Sequence, residues 1–217
     1  MLEQLGVNRM KKLLAMVISL TFINSYVSAE GFNYDYVQAR IGTTNSQATD
    51  ELYIIEVSKS VHENIAVRGG LGYRYGDWNL TGKYKEQTSL GITAETIFHQ
   101  ELTTNTDILL SVGYSNTDYK STCVTTAAHY ICSASTTRAN NHEYFGVSLG
   151  IRQRLSDSIE AELHYAGVKA NNSPTINQVH LSLLKELTSK LSIGANYRWN
   201  TNRNDFDQSE IVLRRKF

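Results

Sequence analysis

Ile108-Leu109-Leu110-Ser111-Val112-Gly113-Tyr114 places an apolar side chain at every second position and ends in tyrosine, with mostly small or polar residues between. Ile159-Glu160-Ala161-Glu162-Leu163-His164-Tyr165 and Leu191-Ser192-Ile193-Gly194-Ala195-Asn196-Tyr197 repeat it, and Ile65-Ala66-Val67-Arg68-Gly69-Gly70-Leu71-Gly72-Tyr73 is a version two residues longer. A strand sends successive side chains to opposite faces, so each copy has one apolar face and one small or polar face. Each copy follows a short connection and an alternating run going the other way: Tyr53-Ile55-Val57, Leu90-Ile92-Ala94 with Phe98, Phe145-Val147-Leu149-Ile151 and Val179-Leu181-Leu183. The connections 59–64, 99–106, 156–158 and 188–190 are short. Those on the other side are longer, above all 117–142. With a first strand near 34–42 and a last near 209–217, the pattern predicts ten strands, or eight if two runs merge. An even number puts both termini on one side.

The rest of the chain fits a single exported domain. Arg9, Lys11 and Lys12 precede an apolar run from Leu13 to Ile23, and Val27-Ser28-Ala29 is a small-residue processing site. This is the tripartite build of a cleaved signal peptide, a short helix over 1–29, with Met10 as a natural start and residues 30–217 as the mature domain. Lys and Arg number 21 and Asp and Glu number 21. That balance gives no reason to expect nucleic acid as a partner. Export also puts Cys123 and Cys132 in an oxidising compartment, where they read as one loop disulfide. A metal site on Cys123, His129 and Cys132 lacks a fourth ligand of familiar spacing, so no cofactor or metal is expected.

The deciding question is which face meets what. No stretch after the signal approaches the 18 or so apolar residues of a spanning helix. The polar register carries Glu56, Arg68, Arg74, Glu95, Arg152, Arg154, Glu160, Glu162, His164, Arg198 and Glu210, interleaved with Gly70, Gly72, Gly91, Gly113, Gly146, Gly150 and Gly194. Glycines that weaken a strand have little use on a solvated face. They make sense inside a narrow barrel, where long side chains from neighbouring strands need room. The expectation is an interior charge network with the apolar face turned to lipid. Tyr73, Tyr75, Tyr114, Tyr165, Tyr197 and Trp199 lie on that apolar face at the far ends of the ascending strands, as an interfacial aromatic girdle would.

The chain thus resembles the small bacterial outer-membrane β-barrel proteins of the OmpA/OmpX-like barrel superfamily. The resemblance rests on the signal, the Phe32-Asn33-Tyr34-Asp35-Tyr36-Val37 opening, the strands ending in Gly-Tyr or Asn-Tyr, and the C-terminal Ile211-Val212-Leu213-Arg214-Arg215-Lys216-Phe217. It implies an all-β, antiparallel up-and-down transmembrane barrel in the outer membrane of a Gram-negative bacterium. It further implies contact with outer-membrane lipid and lipopolysaccharide, and delivery by the barrel-assembly machinery through Ile211, Leu213 and Phe217. Arg215 departs from the family pattern, which has an aromatic or apolar residue there.

That family includes enzymes. Omptin-type proteases resemble this chain in having ten strands, but are much longer. Lipid A deacylase and palmitoyltransferase barrels use a His with Ser and an acidic partner. Here His164 and Glu162 share the interior face, and His180 with Ser182 lies on the adjacent strand, so a base and a nucleophile could meet. A histidine among alternating Arg and Glu is more often polar packing, and a non-enzymatic surface barrel is the expected function. Its charged interior is expected to be plugged and an extracellular ligand to meet it at 117–142. A narrow porin-like channel and a lipid-modifying enzyme are the alternatives.

Overall fold

A computed structural model describes residues 32–45, 48–80, 83–124, 138–171, 175–201 and 207–217. Ten antiparallel strands form a closed barrel: β1 (Tyr36–Asn45), β2 (Ala48–His62), β3 (Ile65–Leu80), β4 (Lys83–Thr103), β5 (Thr106–Val124), β6 (Arg138–Ser156), β7 (Ile159–Ala170), β8 (Ile176–Thr188), β9 (Leu191–Asn200) and β10 (Asp207–Lys216). Each strand pairs with its neighbours in sequence, and β1 pairs with β10, which leaves no open edge. The ten strands are those the alternation predicts. The signal segment and the Cys123–Cys132 pairing lie outside the described residues.

Four two-residue turns, at 63–64, 104–105, 157–158 and 189–190, gather at one end of the barrel with the first and last described residues, Phe32 and Phe217. Three of them are braced alike. The backbone N–H of Asn105, Ser158 and Lys190 donates to the hydroxyl two residues earlier, on Thr103, Ser156 and Thr188, at 3.3, 3.4 and 3.3 Å. A hydroxyl that closes a turn on its own backbone is why Ser and Thr recur there. All four strands entering these turns also carry a register shift just before the turn, at 60/62, 101/103, 154/156 and 186/188, which bends the strand into it.

The distribution of apolar groups is that of an inverted protein. Among the described residues twenty-six large apolar side chains are exposed and twelve apolar side chains are buried. The exposed ones form rows, such as Phe145, Val147, Leu149 and Ile151 on β6 beside Ile108, Leu110 and Tyr114 on β5. Above these rows the outer face turns polar. Asn141 on β6 donates to Asn116 at 2.6 Å and to Asp118 at 2.8 Å on β5.

Two expectations need correction. Both ends of 117–142 are strand rather than loop: Thr117 pairs with His142 and Ser121 with Arg138, so that β5 runs on to Val124 and β6 starts at Arg138. Loss of apolar alternation does not end these strands, because ladder hydrogen bonds continue beyond the apolar belt, where both faces are polar. At the other end β1 begins at Tyr36 rather than near residue 34. Residues 32–35 instead turn into the barrel, where Phe32 and Tyr34 pack with Ala66, Ile97 and Leu109.

Candidate functional site

Because side chains alternate, every even-numbered residue of β1 faces the lumen, and the lumen collects the charges of all ten strands. At the turn end the segment 32–35 fills it. The Arg152 guanidinium lies 4.6 Å from the Phe32 ring and 5.0 Å from the Tyr34 ring, and that of Arg154 lies 5.2 Å from Phe32. Tyr34 stacks on His99 at 3.9 Å and donates its hydroxyl to Asp107 at 2.7 Å. Arg152 Nε donates to Glu160 at 2.8 Å, Lys216 stands 3.6 Å from Glu160, and Arg152 is only 2 % exposed. Asp35 ties the segment to the wall: its carboxylate accepts from Lys59 and from the Ser60 N–H. Partial burial opposes the Asp35 charge, but Lys59 and Ser60 outweigh it and hold the carboxyl below its usual range.

Midway up, Arg40 is clamped between two carboxylates, Glu56 and Glu210, each at 2.9 Å. Asn196 donates to Glu210 at 3.1 Å, Gln38 to Glu56, and Arg214 to Gln38 at 3.0 Å. Arg68 pairs with Glu95, its Nε at 2.8 Å. Towards the loop end Arg74 pairs with Asp50, which also accepts from Thr44 at 2.7 Å.

A second chain of contacts runs through β7, β6 and β5. His164 Nε2 lies 2.6 Å from Glu162, His164 Nδ1 lies 3.4 Å from Ser148 Oγ, and Ser148 Oγ lies 2.7 Å from Ser111 Oγ. The hydroxyl that meets His164 is thus Ser148 rather than Ser182, which stands opposite Glu162. His180 stacks 6.0 Å from His164.

The interior glycines give these side chains their room. A Cβ on Gly70 would come 2.8 Å from Glu56 Cγ, one on Gly42 2.7 Å from Glu210 Cγ, and one on Gly150 would strike the His164 ring. Between the filled turn end and the loop end lies a cavity of about 410 Å³, lined by Arg40, Arg68, Arg198, His180, Tyr119 and Tyr144 among others.

Of the interior charges read from the sequence, Glu56, Arg68, Arg74, Glu95, Arg152, Glu160, Glu162, His164 and Glu210 make ion pairs with one another or with Arg40, Asp50 or Lys216. Arg154 meets the Phe32 ring, and Arg198 meets no charged partner at ion-pair distance among the described residues. Sequence reading passed over Arg40, Arg214, Asp50 and Asp107. All four are signalled by parity alone: Asp50, Arg214 and Asp107 lie an even number of residues from Glu56, Glu210 and Gly113 on their own strands, and Arg40 alternates with Ala39 and Ile41. On the outer face Tyr114 donates to Glu143 at 3.1 Å, Tyr197 to Asp207 at 3.0 Å and Tyr53 to Glu51 at 2.8 Å. Rings in the apolar rows thus turn their hydroxyls to carboxylates at the polar border. Tyr165 lies exposed in the same outward register, and Tyr73, Tyr75 and Trp199 are half-buried in it. Ile211 and Leu213 also face outward.

No protein-family model and no curated protein matches the chain. Its fold does match solved structures. The translocator domain of the autotransporter NalP from Neisseria meningitidis superposes with a TM-score of 0.56 at 11% identity, covering 98% of this chain and 96% of that one. The chain folds as outer-membrane β-barrels do. The outer-membrane protease OmpT from Escherichia coli is similar as well, with a TM-score of 0.51 at 9% identity over 91% of this chain and all of that one. Such identities carry the fold and nothing of either protein's activity. Among the described residues of this barrel no cluster of three metal-ligating side chains forms.

Proposed function

We propose that this chain is a non-enzymatic outer-membrane barrel of a Gram-negative bacterium, exported by its signal peptide and inserted with the turn end in the periplasm. The inversion of polarity supports this reading above all: exposed rows of Leu, Ile, Val and Phe surround a lumen filled with paired Arg and Glu. Such a surface is stable only against acyl tails. The tyrosines and Trp199 at the border of the apolar rows then form the girdle, and Ile211, Leu213 and Phe217 the assembly signal. In this orientation the loop end faces the cell exterior, where the region 117–142, with its Cys123–Cys132 disulfide, meets a surface partner and the barrel rim meets lipopolysaccharide.

The lumen is plugged. Phe32, Tyr34 and Arg152 fill the periplasmic mouth, and the ion pairs above them leave a chamber rather than a pore. Two measurements test the reading. The folded protein should migrate differently in SDS before and after boiling, and planar-bilayer recordings should show no steady current above leak. A steady open-channel current would favour the porin-like alternative.

The Glu162–His164–Ser148 chain keeps a lipid-modifying enzyme in view. It faces the lumen, however, while Leu163 and Tyr165 on the same strand face lipid. An acyl substrate in the outer leaflet meets the wrong side of the wall. Lipid A should therefore keep the same acyl composition with and without the protein. A change abolished by His164→Ala would overturn the non-enzymatic reading.

A further inference from the structure

Arg198 projects from β9 into the lumen with no hydrogen bond or ion pair from any described residue, whereas Arg40, Arg68, Arg74 and Arg152 each hold a carboxylate. Across the ladder it stands between His180 on β8 and Gln208 on β10. Both carry a buried polar atom without a partner, His180 Nε2 and Gln208 Oε1. The carboxylates on the adjoining walls, Glu56 and Glu210, are already clamped by Arg40.

Of the five arginines in the cavity wall, Arg40 holds Glu56 and Glu210, Arg68 holds Glu95, Arg74 holds Asp50 and Arg214 donates to Gln38, while Arg198 has no such partner among the described residues. A guanidinium drawn out of bulk water and left without an anion is unfavourable. Its planar fork, with an imidazole N–H beside it, is a donor set that recognises the oxygens of a carboxylate or phosphate, and the Gln208 amide joins it once flipped so that Nε2 rather than Oε1 faces the anion. We propose that the lumen binds a small oxyanion, a carboxylate or phosphate group, on Arg198, with His180 and Gln208 completing the site. The rival arrangement is internal: Glu210 Oε1 also lacks a partner, and a turn of the Arg198 side chain towards it would leave nothing for an anion to do.

The test titrates the folded barrel, in uncharged detergent, with sodium acetate, sodium phosphate and sodium chloride at matched ionic strength, read by calorimetry and by the Arg side-chain Nε–H resonances. Acetate or phosphate should bind saturably and shift the Arg198 signal, chloride should not, and the tighter of the two names the source as a carboxylated or a phosphorylated solute. Arg198→Gln should weaken binding about tenfold or more, while Arg215→Gln, which removes the same charge from the outer register, should leave it unchanged. Equal binding of chloride, unchanged affinity in Arg198→Gln, or no saturable binding by the folded wild type overturns the proposal. If Arg198→Gln does not fold, the wild-type titration and the response of the Arg198 resonance decide alone. Loss of the heat-dependent migration in SDS would instead mark failure of the barrel reading, so the two failures are distinct.

Discussion

The guanidinium of Arg152 lies 4.6 Å above the ring of Phe32 while its edge grips Glu160. One side chain therefore joins the N-terminal segment to the barrel wall through two different interactions, a cation–π contact and a buried ion pair. Removing only the cation leaves Glu160 in the wall with Lys216 as its remaining partner. Arg152→Met should destabilise the folded barrel by about 3–5 kcal/mol, and adding Glu160→Gln should recover part of that loss. Urea unfolding of the vesicle-inserted protein checks both. A double variant no more stable than the single one would show that the ion pair is not what Arg152→Met breaks.

Asp35 joins both ends of the chain: it accepts from Lys59, and its own carbonyl accepts from the Phe217 N–H at 3.2 Å. Its carboxyl is held below the ordinary range in the folded state. The sign follows from linkage. A depressed carboxyl contributes stability that is fully present above the unfolded-state value, about 3.9 for Asp, and is lost as pH falls through the lower folded-state value. Hydrogen-exchange protection at residues 32–36, taken relative to the intrinsic rate at each pH, should accordingly be high at neutral pH and fall below about pH 4. Asp35→Asn should lower it already at pH 7. Equal protection of variant and wild type at pH 7 would refute the tether.

Gly69 and Gly70 are neighbours in sequence with opposite surroundings. A Cβ on Gly70 would press on Glu56 Cγ and Thr93 Oγ1, both at 2.8 Å, whereas on Gly69 it would meet only the Thr93 carbonyl at 3.8 Å. Gly70→Ala should therefore cost about 1–3 kcal/mol through displacement of Glu56 from its clamp on Arg40. Gly69→Ala, on the outer face, should be neutral or slightly stabilising, because alanine suits a strand better than glycine. The same urea titration compares the two, and equal effects would mean that lumen crowding is not why Gly70 is glycine.

The strands were legible in the sequence because each has one apolar face, and alternation at that face fixes both the element and the side of the wall each residue takes. The interior ion pairs follow from the same parity, once the apolar face is set outward. Parity also marks Arg40 and Arg214, which escaped notice because they sit in strands whose apolar rows are short or interrupted by charge. The upper halves of β5 and β6 were not legible. Beyond Tyr114 and Phe145 both faces are polar, so the pattern that marks a strand fades although the ladder continues. The inward turn of Phe32 and Tyr34 was hidden for another reason: their apolar partners Ala66, Ile97 and Leu109 sit in the polar register, where the pairing of β3 with β4 and of β4 with β5 sets them side by side as an apolar patch on an otherwise polar face.

Leu149 is 60 % exposed in the middle of the outward row of β6, between Leu110 on β5 and Tyr165 on β7. If that row faces hydrocarbon, a charge there must be dragged out of water on folding. Leu149→Arg should then cost about 2–4 kcal/mol for folding into phospholipid vesicles. Asn141 faces the same side of the same strand eight residues nearer the loop end, where its neighbours Asn116 and Asp118 are polar. Asn141→Arg should cost no more than about 1 kcal/mol, as expected near an interface. A water-soluble barrel would respond in the opposite order, since replacing an exposed leucine with arginine improves a solvated surface. The ratio of the two effects, measured in vesicles under identical conditions, therefore tests the orientation of the whole wall independently of any assay of function.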